Sequence, residues 1–387
     1  MRVMRLLLSM AALASAGTAL AAGVPAGKAE IAPEEFTVET LPAPGPHWLY
    51  VADVAWNNEI DARVRLLEAD TGRQLGQVDA GFSPGVALSP DGHVLAVSTT
   101  YFARGGHGAR TDVVEFNDTS TLSASAEVVL PGKRAMVPPG TTSLAWSSDG
   151  RFLYVPFLTP AASLGVLDPR AHRFLGEIDT AGCALVIAHG PNLVSSLCDN
   201  GRMLTITLDE QGRESARSLS DAFFDPETDP VFVQGVASPS GMLFVSFLGA
   251  VHEVDLPAGQ PAMHTPWTLV TAAERGHWRP GGTQVAALHA ATQRLYVPMH
   301  RGGEGTHKDG GSEIWVFDAA SHKRLARWPV APLKLALVTG VQVSQDAQPL
   351  LYATLADGRV AVLDALGGKL LRVVHNMGQT PWQMIAP

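Results

Sequence analysis

One phrase returns about every forty to fifty residues, and it constrains this chain more than any other feature. It is a turn followed by an apolar strand: SPDGHVLAVS (89–98), SSDGRFLYVP (147–156), SPSGMLFVSF (238–247), AATQRLYVPM (290–299) and SQDAQPLLYATL (344–355). A second phrase closes each unit with a strand, an Asp and a turn: RLLEADTGRQLG (65–76), VVEFNDTSTLS (113–123), GVLDPRAHRFLG (165–176), IWVFDAASHKRLA (314–326) and VAVLDALGGKLLR (360–372). The Asp-Gly and Thr-Gly pairs supply the turn geometry. The units run over 47–81, 84–131, 141–182, 183–220, 230–270, 281–330 and 333–378. A unit of about four short strands cannot cover both of its faces, so neighbours must pack face to face around an axis. The expected fold class is all-β, a seven-bladed β-propeller of four-stranded antiparallel blades, with residues 34–387 as one domain; six and eight blades are the alternatives, because the fourth unit is weak. EEFTVET (34–40) is the expected ring-closing strand. LVTAAERGHW (269–278) is the best helix candidate in a chain whose 38 Gly and 27 Pro leave little room for long helices.

The first residues read as a targeting segment. Arg2 and Arg5 precede an apolar run from Leu6 to Ala14, and Ala19-Leu20-Ala21 is a small-x-small cleavage site. Residues 1–21 are therefore expected to be a secretory signal peptide and 22–33 an N-terminal extension, with the product in a bacterial periplasm. No later run is long enough to span a bilayer. Lys+Arg number 28 against 37 Asp+Glu, which excludes a basic face for nucleic acid. Cys183 and Cys198 are the only cysteines. Export favours a disulfide between them, because the ALVIAHGPNLVSSL segment reads as a hairpin that brings its ends together. Two buried free thiols are the alternative.

Short chemical motifs carry little. Gly81-Phe82-Ser83-Pro84-Gly85 matches G-x-S-x-G, but a nucleophile elbow needs a helix after the Ser, and here Pro84 and another strand follow. His300 and His307 flank the Gly-rich RGGEGT, without a third ligand for a metal. Most tryptophans lie within apolar strands and read as core. Trp56 differs, since it stands with Asn57 and Asn58 in a loop between strands and could line a pocket. The segment TTYFARGGHGARTDVV (99–114) is long for a hairpin; Tyr101, Phe102, Arg104, His107 and Arg110 make it a candidate recognition loop. No nucleophile–base–acid set emerges, so no catalytic residue is assigned.

Over 35–378 the sequence resembles the large, β-propeller subunit of the quinoprotein amine dehydrogenases. The resemblance is most specific in TTYFARGGHGARTDVVEFND (99–118), in HWRPGGTQVAALHAATQRLYVPMHRGGEGTHKDGGSEIWVFD (277–318) and in SQDAQPLLYATLADGRVAVLDALGG (344–368). The cysteine spacing, ending in Cys198-Asp199-Asn200-Gly201, also fits, and GGEGTHK with EIWVFD is nearer the aromatic amine branch than the methylamine branch. The resemblance implies a periplasmic heterotetramer of two large and two small subunits. It implies that tryptophan tryptophylquinone resides in the disulfide-dense small subunit, with no cofactor or metal in this chain. It implies oxidation of a primary amine to aldehyde and ammonia, helped by a small-subunit carboxylate, with electrons passing to a small blue copper protein. In that family an aromatic residue from the first-blade loop gates the substrate channel; Trp56, Asn57 or Asn58 stands there, where the methylamine branch usually has Phe. Tyr101, Phe102, Arg104, His107, Arg110, His300, His307 and Lys308 are the expected partner-facing loop residues. A stand-alone lactonase-like hydrolase and a binding scaffold are the competing readings.

Overall fold

The computed structural model describes residues 39–257 and 260–387. The expected signal peptide, the extension and residues 34–38 lie outside the described residues. What is described is a β-propeller-like all-β fold. Its antiparallel strands form, among the described residues, five sheets of four or five strands and one sheet of seven. Apart from the last strand, Pro381–Ile385, which sits beside the first, neighbouring strands along each sheet run in chain order, as expected for apolar runs joined by tight turns. Second strands are buried on both faces: every residue of Leu350–Leu355 is buried. Fourth strands such as Lys323–Pro329 alternate between exposed and half-buried positions. Apolar strands therefore read as continuous runs, and the outer ones as alternating runs.

The seven-stranded sheet holds two repeat units. Strand Arg73–Leu88 pairs with Ala62–Glu68 over its first half and with Val94–Phe102 over its second. It is thus the fourth strand of one unit and the first of the next. The hand-over falls at Gly81 and Ser83, both at positive φ, where a non-glycine backbone is uncommon.

Successive sheets pack face to face, and the cores lie between them. Phe152, Tyr154, Val186 and Val194 form one such core across two sheets. Leu49, Val51, Tyr352, Val360 and Met384 form another, joining the last sheet to the first. Closure differs from expectation. Strand Pro381–Ile385 pairs with one edge of Trp48–Asp53 and Ala62–Glu68 with the other, and of the expected closing segment the described residues Glu39 and Thr40 carry no strand. The innermost place buries Pro381, Gln383 and Met384, whereas EEFTVET would bring three carboxylates to it, at a large desolvation cost.

The 269–278 segment is likewise no helix. It is a run of turns that leads into strand Trp278–Pro280. A segment of that length cannot offset helix nucleation alone, and Trp278 is claimed by the strand. The helical pieces among the described residues are two 3-10 turns, Trp56–Asp61 and Ala331–Leu333. Cys183 and Cys198 face each other across adjacent strands and form a disulfide. No described helix is long and apolar enough to cross a membrane.

Candidate functional site

A cavity of about 680 Å³ opens where the connections between second and third strands, and those between sheets, emerge together. Its wall includes Trp56, Gln234, Phe247, His307, Lys308 and Trp382. Ala55 takes a left-handed conformation (φ 47°) that turns the chain out of strand Trp48–Asp53 into the Trp56–Asp61 turn. Trp56 is thereby presented at the mouth, 41% exposed. Trp382, on the closing strand, meets it edge-on with ring centroids 5.2 Å apart, a favourable aromatic geometry.

Buried Asp53 organises both tryptophans. Its carboxylate pairs with Arg65 at 2.9 Å. It accepts from the backbone N–H groups of Ala55 at 3.2 Å, Gln379 at 3.0 Å and Thr380 at 2.7 Å. These donors belong to the two loops that carry Trp56 and Trp382. Gly378 (φ 138°) lies so close that a Cβ there would collide with the Asp53 carboxyl group. Across the mouth, His307 stacks on Phe247 at 4.1 Å. Burial, with the charge of Lys308, lowers the His307 pKa, so its ring is neutral at neutral pH.

The other sequence candidates fall around this cavity. Asn57 and Asn58 share the Trp56 turn but do not line the wall. His300 is buried behind it, its Nε2 against Thr306 Oγ1 at 3.0 Å, and burial lowers its pKa. None of the five candidates from the 99–114 loop lines the cavity. Tyr101 donates to Glu115 at 2.7 Å. Phe102 packs edge-on against Phe82. Arg104 and His107 close a tight turn through their backbones at 3.0 Å and expose their side chains. Arg110 is held by Asp112 at 2.8 Å and by the Arg134 carbonyl at 3.0 Å. Arg134 is itself buried, and desolvation pulls its guanidinium down to about 9. It donates to the carbonyls of Phe82, Ser83 and Ala135. The loop is therefore anchored at its base and presented at its tip. A Cβ on Gly105 would lie 3.8 Å from Ile60 of the Trp56 turn, so the two elements adjoin. Exposed Ile60, Tyr101, Met136, Val233, Leu248 and Leu337 all sit on or beside the connections at this end, a concentration of apolar surface of the kind that marks interaction sites.

Residues 46–386 match the family model described as methylamine dehydrogenase heavy chain (MADH). The chain belongs to the methylamine dehydrogenase heavy chain family. The heavy chain of Paracoccus versutus is 29% identical over 352 residues, covering 90% of this chain and 81% of the relative. That of Methylophilus methylotrophus is 26% identical over 352 residues, covering 90% and 85%. Among solved structures, the dihydro-heme d1 dehydrogenase NirN in complex with DHE aligns with a TM-score of 0.57 at 16% identity, covering 91% of this chain and 78% of that one. Kuenenia stuttgartiensis hydrazine synthase aligns at 0.54 and 14% identity, covering 80% and 93%. These two likenesses are of fold alone.

In this heavy-chain family member, sequence reasoning missed Asp53, Gln234, Phe247 and Trp382. Asp53, the Gln234–Phe247 unit and Trp382 stand far apart in the chain and meet only when the sheets pack around to the closing strand. The QTPWQMI segment (379–385) did carry a usable signal, an apolar alternation set between turn formers.

Proposed function

We propose that this chain is the large, non-catalytic subunit of a periplasmic amine dehydrogenase that oxidises primary amines to aldehyde and ammonia. On this reading its sheets form seven blades, residues 1–21 are a cleaved signal peptide, and two copies assemble with two small subunits. The observation that carries it is the mouth cavity, walled by Trp56, Trp382 and the Phe247–His307 stack and framed by exposed apolar side chains, the surface that a second chain would cover.

Tryptophan tryptophylquinone belongs, in this proposal, to the small subunit. The wall suits such a group: it offers ring edges and a neutral imidazole. Bound on the small subunit, the quinone would supply an electrophilic carbonyl and accept the electrons of the amine, which then leave to a small copper protein. The residues of this chain act by shape and field. Trp56 narrows the approach and discriminates amines by size. Asp53 fixes the two loops that set the Trp56–Trp382 angle. Neutral His307 leaves Lys308 as the cationic side chain of the wall. The apolar rim excludes water when covered, which strengthens electrostatic interactions inside the site. The 99–114 loop, with Arg104 and His107 at its tip, meets the partner beside Ile60.

Co-expression with a small Cys-rich partner tests this. The chain alone is expected to show neither quinone absorbance nor amine oxidation, and the co-purified complex both. Amine oxidation by the isolated chain would overturn the proposal, and a panel of small and aromatic amines on the complex would assign the branch.

A further inference from the structure

The mouth cavity leads further into the molecule. A second cavity, of about 410 Å³, opens at the opposite ends of the sheets, beside Ser238, Pro239, Ala290 and Gln345. Gln234 lines both cavities. Its Nε2 donates to the Pro139 carbonyl at 3.1 Å, which fixes the amide orientation, because the flipped group would set two acceptors against each other. Its Oε1 is buried and finds no partner among the described residues. On the closing strand Gln383 repeats the arrangement: Nε2 donates to the Val86 carbonyl at 3.4 Å, and Oε1 is buried, again with no partner among the described residues. Ser98 Oγ is a third such atom.

These groups are linked. A Cβ on Gly140 would lie 2.5 Å from Gln234 Nε2, and the Gly140 N–H donates to Ser143 Oγ at 3.1 Å. A Cβ on Gly85, next to Val86, would lie 2.7 Å from the Ser143 carbonyl and 2.6 Å from Ser98 Oγ. Connections between sheets and adjoining strands thus place these polar groups close to one another. Buried polar atoms nearly always have partners. Amide oxygens only accept, so the missing partner is a small donor. The second cavity is lined by uncharged side chains; neutral dipoles hold a donor loosely enough to release it.

We propose that the space enclosed by the first strands is a through-passage for small hydrogen-bond donors, water and ammonium, with the Gln234 amide at its constriction. The ammonium arm rests on the amine dehydrogenase reading, since that reaction releases ammonia while the partner covers the mouth; the water arm does not. A high-resolution crystal structure of the full chain, grown without ammonium salts, is expected to show solvent within hydrogen-bond distance of Gln234 Oε1 and Gln383 Oε1. Finding both oxygens met by protein donors, with no solvent between the cavities, would overturn the passage. In the assembled two-chain enzyme, Gln234→Leu is expected to raise the ratio of the ammonium inhibition constant to the amine KM by about threefold or more, the worth of one lost hydrogen bond. Sodium chloride at equal ionic strength is the control. Solvent at both oxygens with that ratio unchanged supports the passage with water as its guest. An assembly without amine activity would sink the functional proposal while leaving the crystallographic result standing.

Discussion

At the scale of single residues, the mouth turns on Trp56 and on the carboxylate behind it. Trp56 is half out of the fold, so Trp56→Ala is expected to cost under about 1 kcal/mol of stability. The same change is expected to shift the kcat/KM ratio between aromatic and small amines about tenfold or more in the assembled enzyme. An unchanged ratio would remove Trp56 from the channel. Asp53 is the opposite case, buried and bonded to two loops and an arginine. Asp53→Asn leaves Arg65 without its counter-charge, and breaking such a pair costs about 3 kcal/mol or more. Denaturant unfolding should show that loss, and near-ultraviolet circular dichroism should report the disturbed tryptophan pair. Trp56 was legible because it stands in a polar stretch between two strands. Asp53 was not, because an Asp at a strand end reads as one more turn residue until its partners, at the far end of the chain, are seen.

At the scale of elements, the 269–278 connection shows what propensity cannot foresee. Its Glu274 accepts from Arg324 at 2.9 Å and from the Thr271 backbone at 3.0 Å. Arg324 and Arg327 in turn lie over the Trp315 ring at 4.3 and 4.6 Å. Burial alone would raise the Glu274 carboxyl, but these donors hold it at about 2 against an ordinary 4.5. A depressed folded-state value means that the contribution is present above about pH 4.5 and is lost as pH falls towards 2. Glu274→Gln should therefore destabilise by about 1 kcal/mol at neutral pH, and the gap from the parent protein should close in acid unfolding curves; a gap independent of pH would refute the assignment. Tertiary ion pairing decided this segment, whereas the repeated strand–Asp–turn phrases were decided locally. That is why the antiparallel units were readable and the helix expectation failed. Closure was misread for a related reason: EEFTVET and QTPWQMI both look like strands, and it is the second whose residues are found buried beside Trp48–Asp53.

At the scale of the whole molecule, the last five-residue strand of the chain, Pro381–Ile385, is hydrogen-bonded into the first sheet and adds to the core between first and last sheets. Truncation after Gly378 removes it, together with buried Met384 and its place in the core with Leu49 and Tyr352. The shortened chain is expected to lose its cooperative unfolding transition and to bind hydrophobic dyes; a sharp, parent-like transition would show that closure is dispensable. The arrangement also bears on biosynthesis. Asp53 and its donor Thr380 are 327 positions apart, so the earliest sheet to emerge from the ribosome is among the last to be finished. Until then its unpaired strand edge is open to other chains. A prematurely terminated product would keep that edge exposed, marking it for proteolysis, and would not persist as a half-working decoy.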